Sequence, residues 1–214
     1  MQVLYKDSDI LVIVKPAGIL SERAEDKAGK SVADLFPELR IFTVHRLDRE
    51  TAGIMVYALN KESAAALSEQ IRGGEFSKKY FAVLRGRPVN DSGILEDWLK
   101  RDARKNMSFV CAEGGEGTKQ ARLEYRILSE NQGLCLADIA LHTGRTHQIR
   151  VQFASRSCPV YGDGRYGGGS GELALFAYSL AFAHPASGEK MSFTERPDPE
   201  RFPWNLFETE DYSL

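Results

Sequence analysis

The run His45-Arg46-Leu47-Asp48-Arg49-Glu50-Thr51-Ala52-Gly53 sets one carboxylate between two arginines and follows it with residues suited to a tight turn. Ile41 to Val44 and Ile54 to Ala58 on either side read as strands, so the nonapeptide is a loop between core strands. Such loops are where a rigid scaffold displays reactive groups. An ionised carboxylate held there can act as a nucleophile or as a base. The plainer reading is a hairpin whose Arg and Asp side chains form ordinary surface ion pairs, which are worth little energetically.

Other segments decide between these readings. The loop resembles the H-R-L-D-x-x-T-x-G motif of the RluA family of RNA pseudouridine synthases. Upstream, Ile10 to Val14 followed by Lys15-Pro16-Ala17-Gly18 is similar to that family's apolar strand and K-P-x-G. Downstream, Lys79-Tyr80-Phe81-Ala82 resembles its K-x-Y-x-A strand, and Thr143-Gly144-Arg145-Thr146-His147-Gln148-Ile149-Arg150 its T-G-R-x-H-Q-I-R segment. Pro159 to Gly167, with Gly162-Asp163, and Leu180 to Gly188, with His184-Pro185, follow in the same order. The resemblance runs from about Val3 to Phe193, and several ordered blocks are far more specific than one short motif. Two departures stand out. Ala52 occupies the place of a usual serine, and the sequence starts directly on the catalytic-type domain, so a stand-alone catalytic domain without an S4-type RNA-binding module is expected.

The resemblance implies the pseudouridine synthase fold: α+β, with a mixed, mostly antiparallel, bent central sheet, flanking helices and a catalytic cleft. It implies an isomerase that breaks the N1–C1′ bond of a uridine in RNA, rotates the uracil and rejoins it through C5. Neither metal nor organic cofactor is required, because nothing is oxidised or hydrolysed. By resemblance Asp48 is the key carboxylate; attack on the sugar, attack on the base and removal of a sugar proton all stay open for it. Arg150 is implied as the cation that keeps this carboxylate ionised where water is scarce; an exposed helix arginine is the alternative. Tyr80 is implied to pack on the target base and to help with the C5 proton, against the plain reading of a routine strand tyrosine. Ile149 would cover the other face of the uracil.

A stacked uridine must leave the helix to react, and Arg46 is similar to the residue that fills the vacated space. A planar guanidinium suits that task better than an ammonium. His45, Thr51, Arg145 and His147 complete the implied substrate-binding set, His45 by shaping the loop and Arg145 and His147 by meeting phosphate or ordering the site.

Composition agrees with an intracellular enzyme. The chain has 214 residues, 43% of them apolar, enough for one sizeable core, with residues 1–195 read as the catalytic domain and 196–214 as a C-terminal extension. Cys111, Cys135 and Cys158 lie far apart with no C-x-x-C pair, which speaks for free thiols and against a zinc site. The N-terminus is too polar for a secretory signal, and no apolar run is long enough to span a bilayer. A cytoplasmic protein, monomeric, with no membrane and no obligate protein partner, is therefore expected. The net charge of -2 argues mildly against an RNA partner. Its distribution softens this, since Arg72 to Arg126 is rich in Lys and Arg while Glu189 to Leu214 is acidic. Structured ribosomal or transfer RNA is the partner implied, met through Lys78, Lys79, Arg85, Arg87 and the segment from Lys100 to Lys105.

The elements that must position these residues follow from pattern. Val3 to Tyr5 and Ile10 to Lys15 are expected as strands joined at Asp7-Ser8-Asp9, and Ser31 as the N-cap of a short helix to Phe36. Lys61 to Arg72 reads as a helix ended by Gly73-Gly74, and Tyr80 to Leu84 as a strand. Asp91 to Lys119 reads as irregular, with Gly114 to Gly117 as a hairpin tip. Strands are expected over Leu123 to Leu128, Leu134 to Leu141 and Leu173 to Ala183, and a helix over Thr146 to Ser155. A short helix or tail should close the chain. Gly162 to Gly167 fits G-x-G-x-x-G, but the glycines after it oppose the helix that a dinucleotide site needs. A silent RNA-binding protein of the same fold, or a carboxylate enzyme acting on another glycosidic bond, are the alternatives. The second would need paired carboxylates, and none stands out.

Overall fold

The computed structural model describes residues 1–23 and 29–208. In chain order the strands and helices are β1 (Gln2–Lys6), β2 (Ile10–Lys15), α1 (Val32–Leu35), β3 (Phe42–Thr43), β4 (Ala52–Ala58), α2 (Lys61–Gly73), β5 (Ser77–Arg85), β6 (Ser92–Asp102), β7 (Met107–Cys111), β8 (Thr118–Asn131), β9 (Leu134–Leu141), α3 (Gln148–Ala154), β10 (Leu175–Ala183) and β11 (Lys190–Thr194). Strands dominate and helices are few, the α+β class that the sequence implies. The chain divides into two compact units: Met1–Lys78 with Ala177–Arg196, and Lys79–Phe176 with Pro197–Leu214.

In the first unit the strands lie in the order β1-β2-β4-β10, with β3 also on β4 and β11 on β10. The β1–β2 turn is set by Asp7, whose carboxylate accepts the backbone N–H groups of Asp9 and Ile10, each at 2.8 Å. Ile10, Leu11, Val12 and Ile13 are all fully buried, so β2 is covered on both faces and reads as an unbroken apolar run. Helix α1 starts at Ser31, whose N–H and hydroxyl both donate to Asp34, at 2.9 and 2.7 Å. Helix α2 begins where the Asn60 side chain accepts the Ser63 N–H at 2.8 Å. It ends at Gly74, whose left-handed φ of 78° closes the last turn. Its Leu67, Ala64 and Ile71 pack on Ile10, Val12, Ile54, Val56 and Phe182.

In the second unit the order is β5-β9-β8-β6-β7, and every neighbouring pair is antiparallel. The stretch expected to be irregular, Asp91 to Lys119, instead forms the long hairpin β6–β7 and the start of β8. Its tip is 103–106, with Asn106 at φ 48°, while Gly114 to Gly117 lie in the connection from β7 to β8, and β8 then pairs with the other side of β6. In β6 only Leu95 and Leu99 are buried, so the alternation that betrays a half-buried strand is missing. Leu99, Ala121 and Val151 form an apolar cluster beneath the hairpin with Val110 and Tyr166.

Strand β8 runs well beyond the expected Leu123 to Leu128. Helix α3 starts at Gln148 and not at Thr146, because His147 holds a left-handed φ of 54°. Cys135 and Cys158 are buried free thiols, and burial raises both pKa values; Cys111 is partly exposed. A 3₁₀ turn at Trp204–Leu206 is tied down by Asn131, which donates to the Leu206 carbonyl at 2.9 Å. Residues 209–214 of the anticipated extension lie outside the described part. No helix among the described residues is long and apolar enough to cross a membrane.

Candidate active site

In the first unit, His45, Arg46, Asp48 and Thr51 lie together on the loop that leads into β4. The turn closes where the Thr51 N–H donates to the Asp48 carbonyl at 3.1 Å, and Thr51 itself is buried. Lys15, at the end of β2, is fully buried beneath this loop. Its ammonium donates to the carbonyls of Pro16 at 2.9 Å, Ile19 at 2.8 Å and Arg49 at 3.3 Å. Burial pulls the Lys15 pKa down to about 8, and the nearby carboxylates of Asp48 and Glu50 work against that fall. The Gly18 N–H also donates to the Arg49 carbonyl, at 2.7 Å, and Arg49 Nε returns a bond to the Gly18 carbonyl at 3.0 Å.

Ser21 clamps the other side of the loop. Its hydroxyl donates to the Leu47 carbonyl at 2.8 Å and accepts the Leu47 N–H at 3.1 Å. Tyr57 fixes Ser21 in turn, donating to its carbonyl at 2.9 Å. Gly53 has φ 128° and lies against the backbone of Ala177, where a side chain would have no room. The Asp48 backbone is thus held from three directions. Arg46 points outward, its side chain 54% exposed and ion-paired with Glu22.

In the second unit, Arg150 and Ile149 are buried on α3, and Tyr80 is buried on β5 opposite Ile139. The exposed-arginine reading of Arg150 therefore fails: the residue is 2% exposed. Its guanidinium meets Asp163 through two bonds, Nε to Oδ2 at 2.7 Å and a second nitrogen to Oδ1 at 2.8 Å. The Tyr166 ring lies under the same guanidinium, 5.4 Å from its centroid. Asp163 Oδ1 also accepts the backbone N–H groups of Arg165 at 3.1 Å and Tyr166 at 3.3 Å. The loop that carries it admits no side chain at Gly168, which faces the Val160 carbonyl, or at Gly162, which faces the Glu172 carbonyl. G-x-G-x-x-G here builds a carboxylate perch and opens no helix.

The Tyr166 hydroxyl accepts the Ser108 N–H at 2.7 Å and lies 3.0 Å from His147 Nδ1. Ser108 bonds the Thr146 carbonyl at 2.7 Å, so the hairpin β6–β7 and the start of α3 are joined there. Arg145 is tied to the backbone, donating through Nε to the Gln120 carbonyl at 2.8 Å. Gln148 accepts the Arg145 N–H at 3.1 Å and donates to the Arg122 carbonyl at 3.1 Å.

Sequence reasoning missed Lys15, Ser21, Asp163 and Tyr166 as residues that fix the anticipated site. All but Ser21 lay within segments already singled out, yet nothing in the sequence marks a lysine as buried or an aspartate as the partner of a particular arginine. Asp7, Asp9 and His184 are close enough to hold a metal ion. Their ligand atoms are already engaged, His184 with Asp7 at 2.8 Å and Asp9 with Asn60 at 2.9 Å and Ser63 at 2.7 Å.

Residues 9–155 match the family model for RNA pseudouridylate synthase. The chain is similar to the dual-specificity RNA pseudouridine synthase RluA of Yersinia pestis, 34% identical over 90% of this chain and 97% of that one. It is also similar to the ribosomal large subunit pseudouridine synthase D of Xanthomonas campestris, 33% identical over 94% of this chain and 66% of that one. Among solved structures, human RNA pseudouridylate synthase domain containing 1 superposes with a TM-score of 0.75 at 25% identity, covering 92% of this chain and 83% of that one.

Proposed function

This chain belongs to the RNA pseudouridine synthase family, and from that premise we propose that it isomerises one specific uridine in a structured ribosomal or transfer RNA, with Asp48 as the key carboxylate. The observation that carries the reading is the anchoring of the Asp48 loop. A buried lysine, a serine clamp and a glycine with no space for a side chain hold one carboxylate-bearing turn, the preorganisation expected of a reacting group. The two relatives lend the substrate class: one is named for dual specificity and the other for the large ribosomal subunit.

In the proposed reaction the uridine N1–C1′ bond breaks and the C5–C1′ bond forms. C5 loses a proton and N1 ends with one, so no atom enters or leaves. Tyr80 is proposed to pack on the uracil and assist at C5, and Ile149 to cover its other face. Arg150, held by Asp163, supplies positive charge to the reacting carboxylate, and Arg46, exposed on the loop surface, fills the space the uridine leaves. Thr51 and His45 shape the loop, while Arg145 and His147 order the approach to Arg150. Residues 1–195 serve as the catalytic domain of a cytoplasmic monomer.

The test compares wild type with Asp48→Asn on total RNA from a host strain lacking this protein, mapping pseudouridine at single-nucleotide resolution. A uridine converted by the wild type and left untouched by the variant supports the reading and names the substrate. Equal conversion by both proteins removes Asp48 from the chemistry. No new site with either protein, on mature and precursor RNA alike, refutes the synthase reading.

A further inference from the structure

The sequence offers several cations to an RNA partner, and the fold sorts them. Arg87 is taken by two carboxylates, Asp91 and Glu130. Arg85 donates to the Gly168 carbonyl at 3.5 Å and lies over the Tyr161 ring, 5.9 Å from its centroid. Lys78 is half-buried above Phe76. The segment Lys100-Arg101-Asp102-Ala103-Arg104-Lys105 is different. All four of its cations are exposed, and none of them is ion-paired among the described residues. Exposed arginines elsewhere, Arg46, Arg122 and Arg201 among them, each meet a carboxylate. The one carboxylate in the segment, Asp102, is turned to the backbone, where it accepts the N–H groups of Arg104 at 2.9 Å and Lys105 at 3.1 Å. A chain of net charge -2 thus concentrates unpaired positive charge at the tip of the β6–β7 hairpin.

An open aromatic ring lies beside these cations. Strand alternation turns Ser108 toward the start of α3, where its hydroxyl bonds the Thr146 carbonyl, and turns Phe109 to the opposite face. Phe109 is 41% exposed in the middle of β7. Lys100 is its cross-strand partner on β6, and Lys105 Nζ lies 5.8 Å from its ring centroid. Trp98, two residues before Lys100, shares that face, but the chain covers it: a side chain at Gly114 would begin 2.8 Å from the indole. Phe109 is the ring that the hairpin leaves open. Nucleic acids are held by such pairings, with a base on the ring and its phosphates on the cations.

We propose that this face of the β6–β7 hairpin binds a single-stranded segment of the RNA substrate, with one unpaired base stacked on Phe109 and the adjoining phosphates on Lys100 and Lys105. A base inside a duplex has both faces occupied, so duplex RNA can use the cations but not the ring. Ser108, the neighbour of Phe109, is bonded to Thr146 and Tyr166, so the strand that holds the RNA also braces the start of α3. The choice of RNA as the polyanion rests on the function proposed above; the open ring and the unpaired charges do not.

The experiment uses the full chain carrying Asp48→Asn, so that binding is read without turnover. The probes are a fluorescein-labelled nonauridylate and a labelled blunt RNA duplex of alternating G and C, followed by anisotropy over a range of salt concentrations. Changing Lys100 and Lys105 together to Gln is expected to lower the slope of log affinity against log salt by about 1.4 for the single strand, which is two phosphate contacts at about 0.7 each. Phe109→Ser should weaken single-strand binding about tenfold with the slope unchanged, since a stacked base releases no counterion. Phe109→Tyr, which keeps a ring, should retain most of the affinity. The duplex should lose little from Phe109→Ser. Changing Lys61 and Lys190 together to Gln, exposed charges of the other unit, should leave the slope where it was.

An unchanged slope in the Lys100 and Lys105 variant overturns the site, as does an equal fall in the Lys61 and Lys190 variant, which would make the attraction non-specific. Single-strand affinity indifferent to Phe109→Ser, or an equal loss for the duplex, overturns the stacking platform. Failure of the parent protein to bind either probe at low salt overturns the proposal as a whole. These outcomes concern binding alone, so they stand apart from failure of the isomerase reading, which the mapping experiment detects.

Discussion

Each unit buries one cation beside a residue proposed to act in the reaction, and each keeps that cation in place by different means. Arg150 is matched by a carboxylate, Asp163, in a two-bond pair on which a tyrosine ring also stacks. Lys15 is held by three backbone carbonyls, and the carboxylates of Asp48 and Glu50 only moderate its fall in basicity. A guanidinium can be buried against a planar partner and keep its proton. An ammonium held by neutral dipoles keeps part of the burial cost and becomes sensitive to pH. The pair in the second unit should therefore be the stiffer and the more fragile to mutation, and the lysine in the first the more responsive to solution conditions.

The largest test of that contrast removes the Asp163 charge. Asp163→Asn leaves Arg150 without its ionic partner in a buried site and should destabilise the protein by about 3 kcal/mol, with turnover falling at least a hundredfold. Urea unfolding and single-turnover kinetics measure the two effects. A stability loss below about 1 kcal/mol would mean that the pair is not what holds Arg150.

Lys15→Met sharpens the other side of the comparison. The folded-state pKa of Lys15, about 8, is below the usual lysine value, so between about pH 8 and 10.5 the unfolded chain binds more protons than the folded one. Stability contributed by this site therefore rises with pH across that window, by up to about 1.4 kcal/mol per pH unit. Below pH 8 lysine is charged in both states and the burial penalty stays in full. Unfolding midpoints of wild type and Lys15→Met should diverge in favour of wild type from pH 8 to 10, and parallel curves would assign the low basicity to some other group. Asp163→Asn should show no such divergence.

The smallest expected effect is at Tyr166. Tyr166→Phe keeps the ring beneath Arg150 and removes the hydroxyl that accepts the Ser108 N–H and meets His147 Nδ1, for a loss of about 1 kcal/mol. The stacking contribution is then separable from the hydroxyl by comparing Tyr166→Phe with Tyr166→Leu in the same unfolding assay.

Legibility in the sequence follows the same division of labour between local and distant causes. Helix α2 could be read because its start and end are written locally, in Asn60 ahead of a run of helix formers and in Gly74 after it. Strand β2 could be read because burial on both faces leaves an unbroken apolar run. The β6–β7 hairpin could not, since Leu95 and Leu99 are the only buried residues of β6 and their spacing of four suggests a helix as readily as a strand. Its turn also uses Asn106 in a left-handed conformation where a glycine would have advertised it. At the anticipated site, the blocks around Asp48, Tyr80 and Arg150 were visible as motifs. The partners Lys15 and Asp163 matter because of chain segments brought next to them by the fold, 34 residues away for Arg49 and 13 for Arg150.

Helix α3 carries a last consequence. It has seven residues, and six of them, Gln148 to Phe153, are buried. A helix so short has no stability of its own in water. With no exposed face, it also has no means of fraying independently of its surroundings. Its amide protons should consequently exchange with solvent only when the whole second unit opens, and their protection should track the global unfolding free energy. Arg150 thus inherits its order from remote packing, so a cavity cut anywhere beneath the β-sheet of that unit would loosen the guanidinium as surely as a change next to it.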